Sequence, residues 1–465
     1  ASYGTAVGYE ALAANTTGAS NTAVGRTALT ANTTAANNTA VGYASLNANT
    51  TGTQNSSLGA YALDANTTAS NNTALGYNAL SLSTTGAQNS SVGSQSLLAN
   101  TTGDYNSALG QNALVSNTTG NQNTAVGAYA LTTNISSHTS TAVGYQAGQN
   151  STATATTAVG YRAGSSISSG SNNAAFGAGV MSGSAVTGDY NTGVGNDALQ
   201  VNTSGTWNFA GGKNALFVNT TGSYNTAVGG QALDANTTAS YNTAVGYASL
   251  GANTTGSNNT AVGYNTMDAV TTGIQNSALG VNALGALTTG NNNVGLGVGA
   301  GGGTTTGGSN IAIGISALAS NTTGGQNIAI GQDTLYYNTA EYNTAVGHNT
   351  MVANTTGTRN VALGALALDA NTVGDKNVAI GMDALGANVD GSRSVAVGDS
   401  ALAAQDPASA VEMYNTAVGH AAGTAVTTGV GNTLVGGLAG DSLTTASELS
   451  AFGADAGGGV TTGVG

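Results

Sequence analysis

Apolar and polar residues recur along this chain with a period of 17. The consensus unit is N-T-A-V-G-Y-x-A-L-x-A-N-T-T-G-x-x, and it occurs 27 times, with the V of N-T-A-V-G at Val7, Val24, Val41 and so on to Val435 and Phe452. Numbered from its Asn, the fourth position is large and apolar in 26 of the 27 units, and a Gly follows it in all of them. A unit this short cannot enclose its own core, so it must stack on its neighbours as one coil of a solenoid. Val, Ile, Thr and Tyr, punctuated by Gly and by N-T-T-G, are strand and turn residues. The pattern predicts an all-β, parallel β-solenoid of the β-roll kind. Each coil is expected to carry two strands of about five residues, at N-T-A-V-G and around A-L-x-A. N-T-T-G and the invariant Gly are expected at the corners.

Alternation places the second and fourth positions on one face. In the unit containing N-F-A-G-G, Gly211 takes the large fourth position while Phe209 takes the second. This exchange of volume puts both on the same side, and the expectation is that this side is the core. The third position is small in all units but one, where it is Leu434. Facing away from such a core, that small column would lie against a partner chain, Ala244 among it. So thin a roll, with few apolar side chains per coil, is expected to need one.

Spacing departs from 17 at four places: 16 at Val143–Val159 and Ile330–Val346, 18 at Phe176–Val194, and 21 at Val397–Val418. All fall outside N-T-A-V-G, because a one-residue slip inside a strand would reverse its faces. Residues 403–413, holding the only proline, read as a surface loop. Coils over 145–196 and 294–308 are looser and richer in Gly and Ser. Residues 1–465 read as a single continuous solenoid rod, a segment of something longer. At strand spacing its length would be about 130 Å.

Composition changes this picture little. Charged residues make up 5% of the chain and the net charge is −13, with 12 of 19 acidic residues after position 330. No basic stripe exists, so nucleic acid is not an expected partner. Without cysteine there is no disulfide framework and no thiolate metal site. No apolar run is long enough to span a membrane.

The candidate chemistry is sparse. His138, His348 and His420 are far apart in sequence and read as surface residues. Asp64, Asp234 and Asp369 follow A-L, one to a coil, and read as solvated. No nucleophile or acid–base pair is assembled, no calcium-type nonapeptide recurs and no phosphate-binding loop is present. The expectation is therefore no enzyme activity, no cofactor and no metal. Tyr recurs at the sixth position, at Tyr9, Tyr43, Tyr77, Tyr145, Tyr161, Tyr247 and Tyr264, and again just before the Asn, as at Tyr105, Tyr190, Tyr224, Tyr241, Tyr342 and Tyr414. Tyr9, Tyr43, Tyr77, Tyr247 and Tyr264 are the candidates for surface binding of sugar rings. Cross-coil contacts that stiffen the roll are the plainer reading. N-T-T fits the N-glycosylation pattern, but hydrogen-bonded corners explain it more simply. A flat Thr face would suit ice, although the second-position Thr is expected to point inward.

The motifs N-T-A-V-G-Y, S-V-A-V-G and N-I-A-I-G resemble the head repeats of trimeric autotransporter adhesins. They are also similar to the Asn-Thr-Thr-Gly repeats of tail-fibre-like proteins. The resemblance covers essentially the whole chain. It implies a left-handed roll, three chains side by side, and an extracellular place on a cell surface or virion fibre. The 17-residue unit departs from the shorter adhesin repeat. The expected function is a structural fibre or shaft that presents a binding tip or builds a surface filament. The alternative is a rod that is itself a multivalent binder of surface glycans or extracellular matrix, and ice binding is a minor third reading.

Overall fold

The computed structural model describes residues 3–462. It is an all-β parallel solenoid of 27 strands, one to a coil, from Thr5–Val7 to Ser450–Phe452, and no helix occurs among the described residues. The chain falls into two units. One runs to Gln231 and includes Asn236–Thr238; the other comprises Ala232–Ala235 and everything from Ala239 onward. Within each unit, neighbouring strands pair in parallel, with every T-A-V stacked on the next in register. Register holds across the irregular spacings: Thr157 pairs with Thr141, and Val395 with Thr416. The added or missing residues are absorbed in the turns.

Each strand is only three residues long. The expected second strand around A-L-x-A does not form. Instead the seventh and ninth residues take left-handed conformations, as at Thr27 (φ 60°) and Leu29 (φ 50°). That winds the chain into a compact turn while aiming Leu inward. The turn still forms inter-coil hydrogen bonds: Leu29 N–H donates to Ser45 O at 3.1 Å, and Thr27 N–H to Tyr9 O at 2.8 Å.

The two faces of the strand are the reverse of the expectation. The third-position Ala points inward; Ala23, Ala142 and Ala244 are fully buried. The second and fourth positions point outward, leaving Val7 57% and Leu58 49% exposed. The physical reason is the narrowness of the coil. Its interior already holds the eighth-position Ala and ninth-position Leu, such as Ala62 and Leu63, both fully buried. Only a small residue fits opposite them, which makes the Ala column a core wall and not a contact with another chain. Phe209 and Gly211 do share a face, as expected, but it is the outer one. A Cβ on Gly211 would lie 3.2 Å from the Phe209 ring.

Two buried asparagine columns, at the first and twelfth positions, close the corner that leads into the strand. Asn21 Nδ2 and Asn32 Nδ2 both donate to Ala35 O, at 2.7 and 3.1 Å. Each column is also bonded along its length. Asn38 N–H donates to Asn21 Oδ1 at 2.9 Å, and Asn32 Nδ2 to Asn15 Oδ1 at 2.9 Å. Thr16 Oγ1 donates to Thr33 O at 3.0 Å beside them. The N-T-T-G segment is thus a hydrogen-bonded corner, and buried amides that would otherwise be costly are satisfied by identical neighbours.

The fifth-position Gly turns the chain out of the strand. Its φ lies near +135°, as at Gly93 (130°) and Gly110 (137°). A Cβ on Gly93 would also sit 2.6 Å from Gly110 O in the next coil. Side chains are therefore excluded twice, by conformation and by coil-to-coil approach.

Candidate functional site

Two surface features stand out: the outer face of the sheet and the aromatic rows beside it. The outer face alternates Thr or Ser at the second position with Val, Leu or Ile at the fourth. None of these outward strand residues is charged in any of the 27 strands. Where Gly295 replaces the inward Ala, the face dips into an almost wholly apolar cleft of about 290 Å³, lined by Val262, Leu279 and Leu296. Toward the C-terminal half the second column also becomes apolar, as in Ile311–Ile313, Ile328–Ile330 and Val378–Ile380. The Thr column that ice binding requires is thus outward after all, but it is interrupted.

The five candidate tyrosines are all surface residues: Tyr9 is 66% exposed, Tyr43 41%, Tyr77 52%, Tyr247 51% and Tyr264 52%. They form separate groups. Tyr247 and Tyr264 stack at 5.7 Å with an interplanar angle of 15°. Tyr9 and Tyr43 flank Arg26, whose guanidinium lies 5.9 and 5.7 Å from their ring centroids. Tyr43 meets Tyr61 edge-on at 5.1 Å, and Tyr61 meets Tyr77 edge-on at 6.2 Å. Tyr61 was not among the candidates because it stands at the seventh position, one step off the column. The shift from sixth to seventh position was its only sequence signal. A hydrogen bond with Tyr43, together with burial, raises the Tyr61 phenol above its ordinary range. In the other row Tyr190 stacks on Trp207 at 4.3 Å.

The remaining titratable groups are dispersed. His138 Nδ1 accepts a hydrogen bond from Asn121 N–H at 2.9 Å, and His420 Nδ1 lies 3.3 Å from Asp399 Oδ2. His348 joins neither. No group of three or more potential metal ligands forms among the described residues. Asp64 accepts from Ser81 Oγ at 2.6 Å, so it is not a freely solvated residue. Nor are Asp234 and Asp369, for which burial raises the carboxyl above the usual range; Asp383 adds repulsion at Asp369. Burial and the neighbouring Asp399 raise Asp383 in turn.

The inserted loop is clasped to the coil beneath it. Arg393 Nε donates to Glu412 Oε1 at 2.6 Å, and Tyr414 Oη–H donates to the same carboxylate. These bonds lower the Glu412 carboxyl and raise the Tyr414 phenol. Gln405 enters the buried asparagine column, with Nε2 donating to Asn388 Oδ1 at 3.0 Å.

The N-T-T asparagines are poor glycan acceptors in the folded chain. Asn49 is fully buried, and its Nδ2 donates both to Asn32 Oδ1 and to Gly52 O. No helix of the described residues is long and apolar enough to cross a membrane. No protein-family model matches the chain, and no curated protein is significantly similar to it.

Proposed function

We propose that this chain is the shaft of an extracellular fibre, of the surface-adhesin or tail-fibre kind, in which copies of the chain lie side by side. The shaft holds a binding tip away from its surface or builds a filament, and turns nothing over. One observation carries the reading: a row of exposed and half-buried Val, Leu and Ile, without a single charge, on the outer face of the sheet. The chain's 25 charged residues, 6 basic and 19 acidic, all lie elsewhere. Exposed apolar surface that extends from coil to coil marks an association surface. A second copy of the same chain matches it in repeat spacing, and the resemblance to adhesin heads supplies the number three. The contact is assigned to the second and fourth positions, since the Ala column is internal.

Ice binding would use the same face. The replacement of Thr by Ile and Val in several strands favours contact with protein over contact with a hydroxyl-matched lattice. Sedimentation of the intact chain separates these readings. The expected result is a trimer, which a combined Val262→Glu, Leu279→Glu and Leu296→Glu variant weakens without loss of β-sheet circular dichroism. A stable wild-type monomer would overturn the association, and thermal hysteresis in that monomer would favour ice.

A further inference from the structure

Three aromatic pairs on this chain have spent their faces on each other. Tyr145–Tyr161 stack at 5.8 Å and 11°, Tyr190–Trp207 at 4.3 Å and 14°, and Tyr247–Tyr264 at 5.7 Å and 15°. Rings stacked along the coil axis present mainly their edges to solvent. The group at Tyr61 differs. Tyr61 and Tyr77 stand at 84° to one another, which opens a corner between them. That corner is part of a shallow cleft of about 310 Å³ lined by Tyr61, Asp64, Tyr77, Asn78 and Ser81. It is at the small end of ligand sites, room for one sugar ring and little more.

The polar groups lie on the same cleft. Asp64 Oδ1 is held by Ser81 Oγ at 2.6 Å, while Oδ2 has no protein partner. The Asn78 side-chain amide also has none, leaving both donor and acceptor available. This set comes from sequence irregularities that coincide in two adjoining coils. Tyr is shifted to the seventh position at Tyr61, Asp stands at the tenth at Asp64, and Ser81 is at the tenth in the next coil. Two other half-buried Asp residues of that column face glycines: Asp234 Oδ1 lies 3.6 Å from where a Gly251 Cβ would be, and Asp268 Oδ1 the same distance from that of Gly285. Tyr129 and Tyr145 repeat the right angle at 83° and 6.1 Å, but the tenth position there is Thr132, whose hydroxyl is bonded to Tyr129 O. They have the rings without the carboxylate.

We propose that Tyr61, Asp64, Tyr77 and Asn78 form a subsite for one neutral pyranose residue of a surface glycan. The apolar face of the sugar packs on a tyrosine ring, Asp64 Oδ2 accepts from a ring hydroxyl, and Asn78 bridges a neighbouring one. The carboxylate, in a chain of net charge −13, disfavours uronic acids. The residues of the subsite lie outside the three-residue strands that form the apolar sheet face.

The test uses the intact chain and a panel of methyl glucoside, galactoside, mannoside and glucuronide, followed by saturation-transfer NMR and titration. At least one neutral glycoside is expected to saturate one weak site per chain. Tyr77→Ala and Asp64→Asn should each weaken it by on the order of tenfold. Tyr247→Ala, on a face-stacked pair, should leave it unchanged, and the glucuronide should not compete. Circular dichroism and sedimentation keep loss of binding apart from loss of fold or assembly. Absence of saturation by every neutral glycoside would overturn the proposal. So would equal binding by the Tyr77→Ala variant, or saturation by tetramethylammonium in place of any sugar, which would make the corner a cation site.

Discussion

The coils around Leu63 and the coils around Val426 fill the same cross-section in opposite ways. In the first region the ninth position is Leu, fully buried at Leu46, Leu63 and Leu80, and the twelfth is mostly a buried Asn. In the second, the ninth position is Gly423 or Gly440, and the twelfth is apolar, fully buried at Val426 and Leu443. The missing leucine volume returns from another wall. Leu434, the one large third-position residue, is fully buried against both glycines; a Cβ on Gly423 would lie 2.6 Å from its Cδ1, and one on Gly440 2.9 Å from its Cδ2. The backbone is common to the two solutions, with φ of 53° at Leu63 and 61° at Gly423. The coil thus fixes its outline and leaves the choice of filling open. Leucine in a left-handed conformation carries roughly 1–2 kcal/mol of strain, which glycine avoids. Burying the leucine side chain returns about 1.5–3 kcal/mol.

What the regions share should respond alike. Gly76 and Gly436 have φ of 140° and 138°. A Cβ on either would fall 2.7 Å or less from a carbonyl carbon of the next coil. Replacement by Ala at either position is expected to cost on the order of 3–5 kcal/mol, strain and overpacking together. Native-state hydrogen exchange of the flanking coils would measure it. A large difference between the two sites would mean that the corners are not equivalent.

At the ninth position the regions should part. Leu63→Ala leaves a cavity and keeps the left-handed strain, for an expected loss of about 2–5 kcal/mol. Leu63→Gly removes one more carbon but releases the strain, so it should be no worse than Ala. In ordinary strands or helices glycine is the worse of the two. Gly423→Leu, forced against Leu434, should destabilise by about 1–3 kcal/mol. Denaturant unfolding of the variants checks the order, and a Gly variant clearly less stable than its Ala counterpart at Leu63 would remove strain from the account.

This is also where the sequence was hardest to read. The period, the solenoid, the invariant glycine and the hydrogen-bonded N-T-T corner are all written in a repeat that no globular domain would show. The direction of the strand was not. T-A-V alternates with equal regularity whichever face is inside, and hydrophobicity pointed to Val. What decides is the size of the space left by Ala62 and Leu63 across the coil, a tertiary quantity. The left-handed residues at the seventh and ninth positions are similarly hidden, because Leu there carries no turn signal. Among the candidate residues, Tyr43 and Tyr77 proved to be neighbours only through Tyr61, which lies outside their column.

The two fillings differ in how they end. An apolar column can stop anywhere, but an asparagine column leaves a polar atom behind. Asn32, Asn49 and Asn66 are linked Nδ2 to Oδ1 at 3.0 and 2.9 Å, and then the next coil has Ser83. Asn66 Oδ1 is buried without a partner, and another asparagine run gives way to Val270 after Asn253. Ser83→Asn should supply the missing donor to Asn66 and join this run to the one that links Asn100 and Asn117 at 2.8 Å. The expected gain is about 1 kcal/mol. Val270→Asn should bring no such gain, because its own Oδ1 would face Leu287. Thermal unfolding of both variants would show whether stabilisation requires continuity; equal gains would refute that.

The smallest expected effect is a pH dependence confined to the second unit, which holds Asp234, Asp268, Asp369 and Asp383. Burial raises all four carboxyls above the usual range, with repulsion from Asp383 added at Asp369 and from Asp399 at Asp383. The folded state therefore holds protons that the unfolded chain releases. Their contribution to stability is complete below the unfolded carboxylate pKa of roughly 4 and is lost as pH rises through the raised folded values. Glu412 works in the opposite sense. Its lowered carboxyl contributes above the unfolded value and loses that contribution on acidification, but it is exposed and solvent screens it. Hydrogen exchange in the coils around Asp369 should thus slow as pH falls from neutral into the carboxylate range, after correction for intrinsic rates. Asp369→Asn with Asp383→Asn should flatten the dependence. A dependence that persists unchanged in this double variant would place its origin outside the buried aspartates.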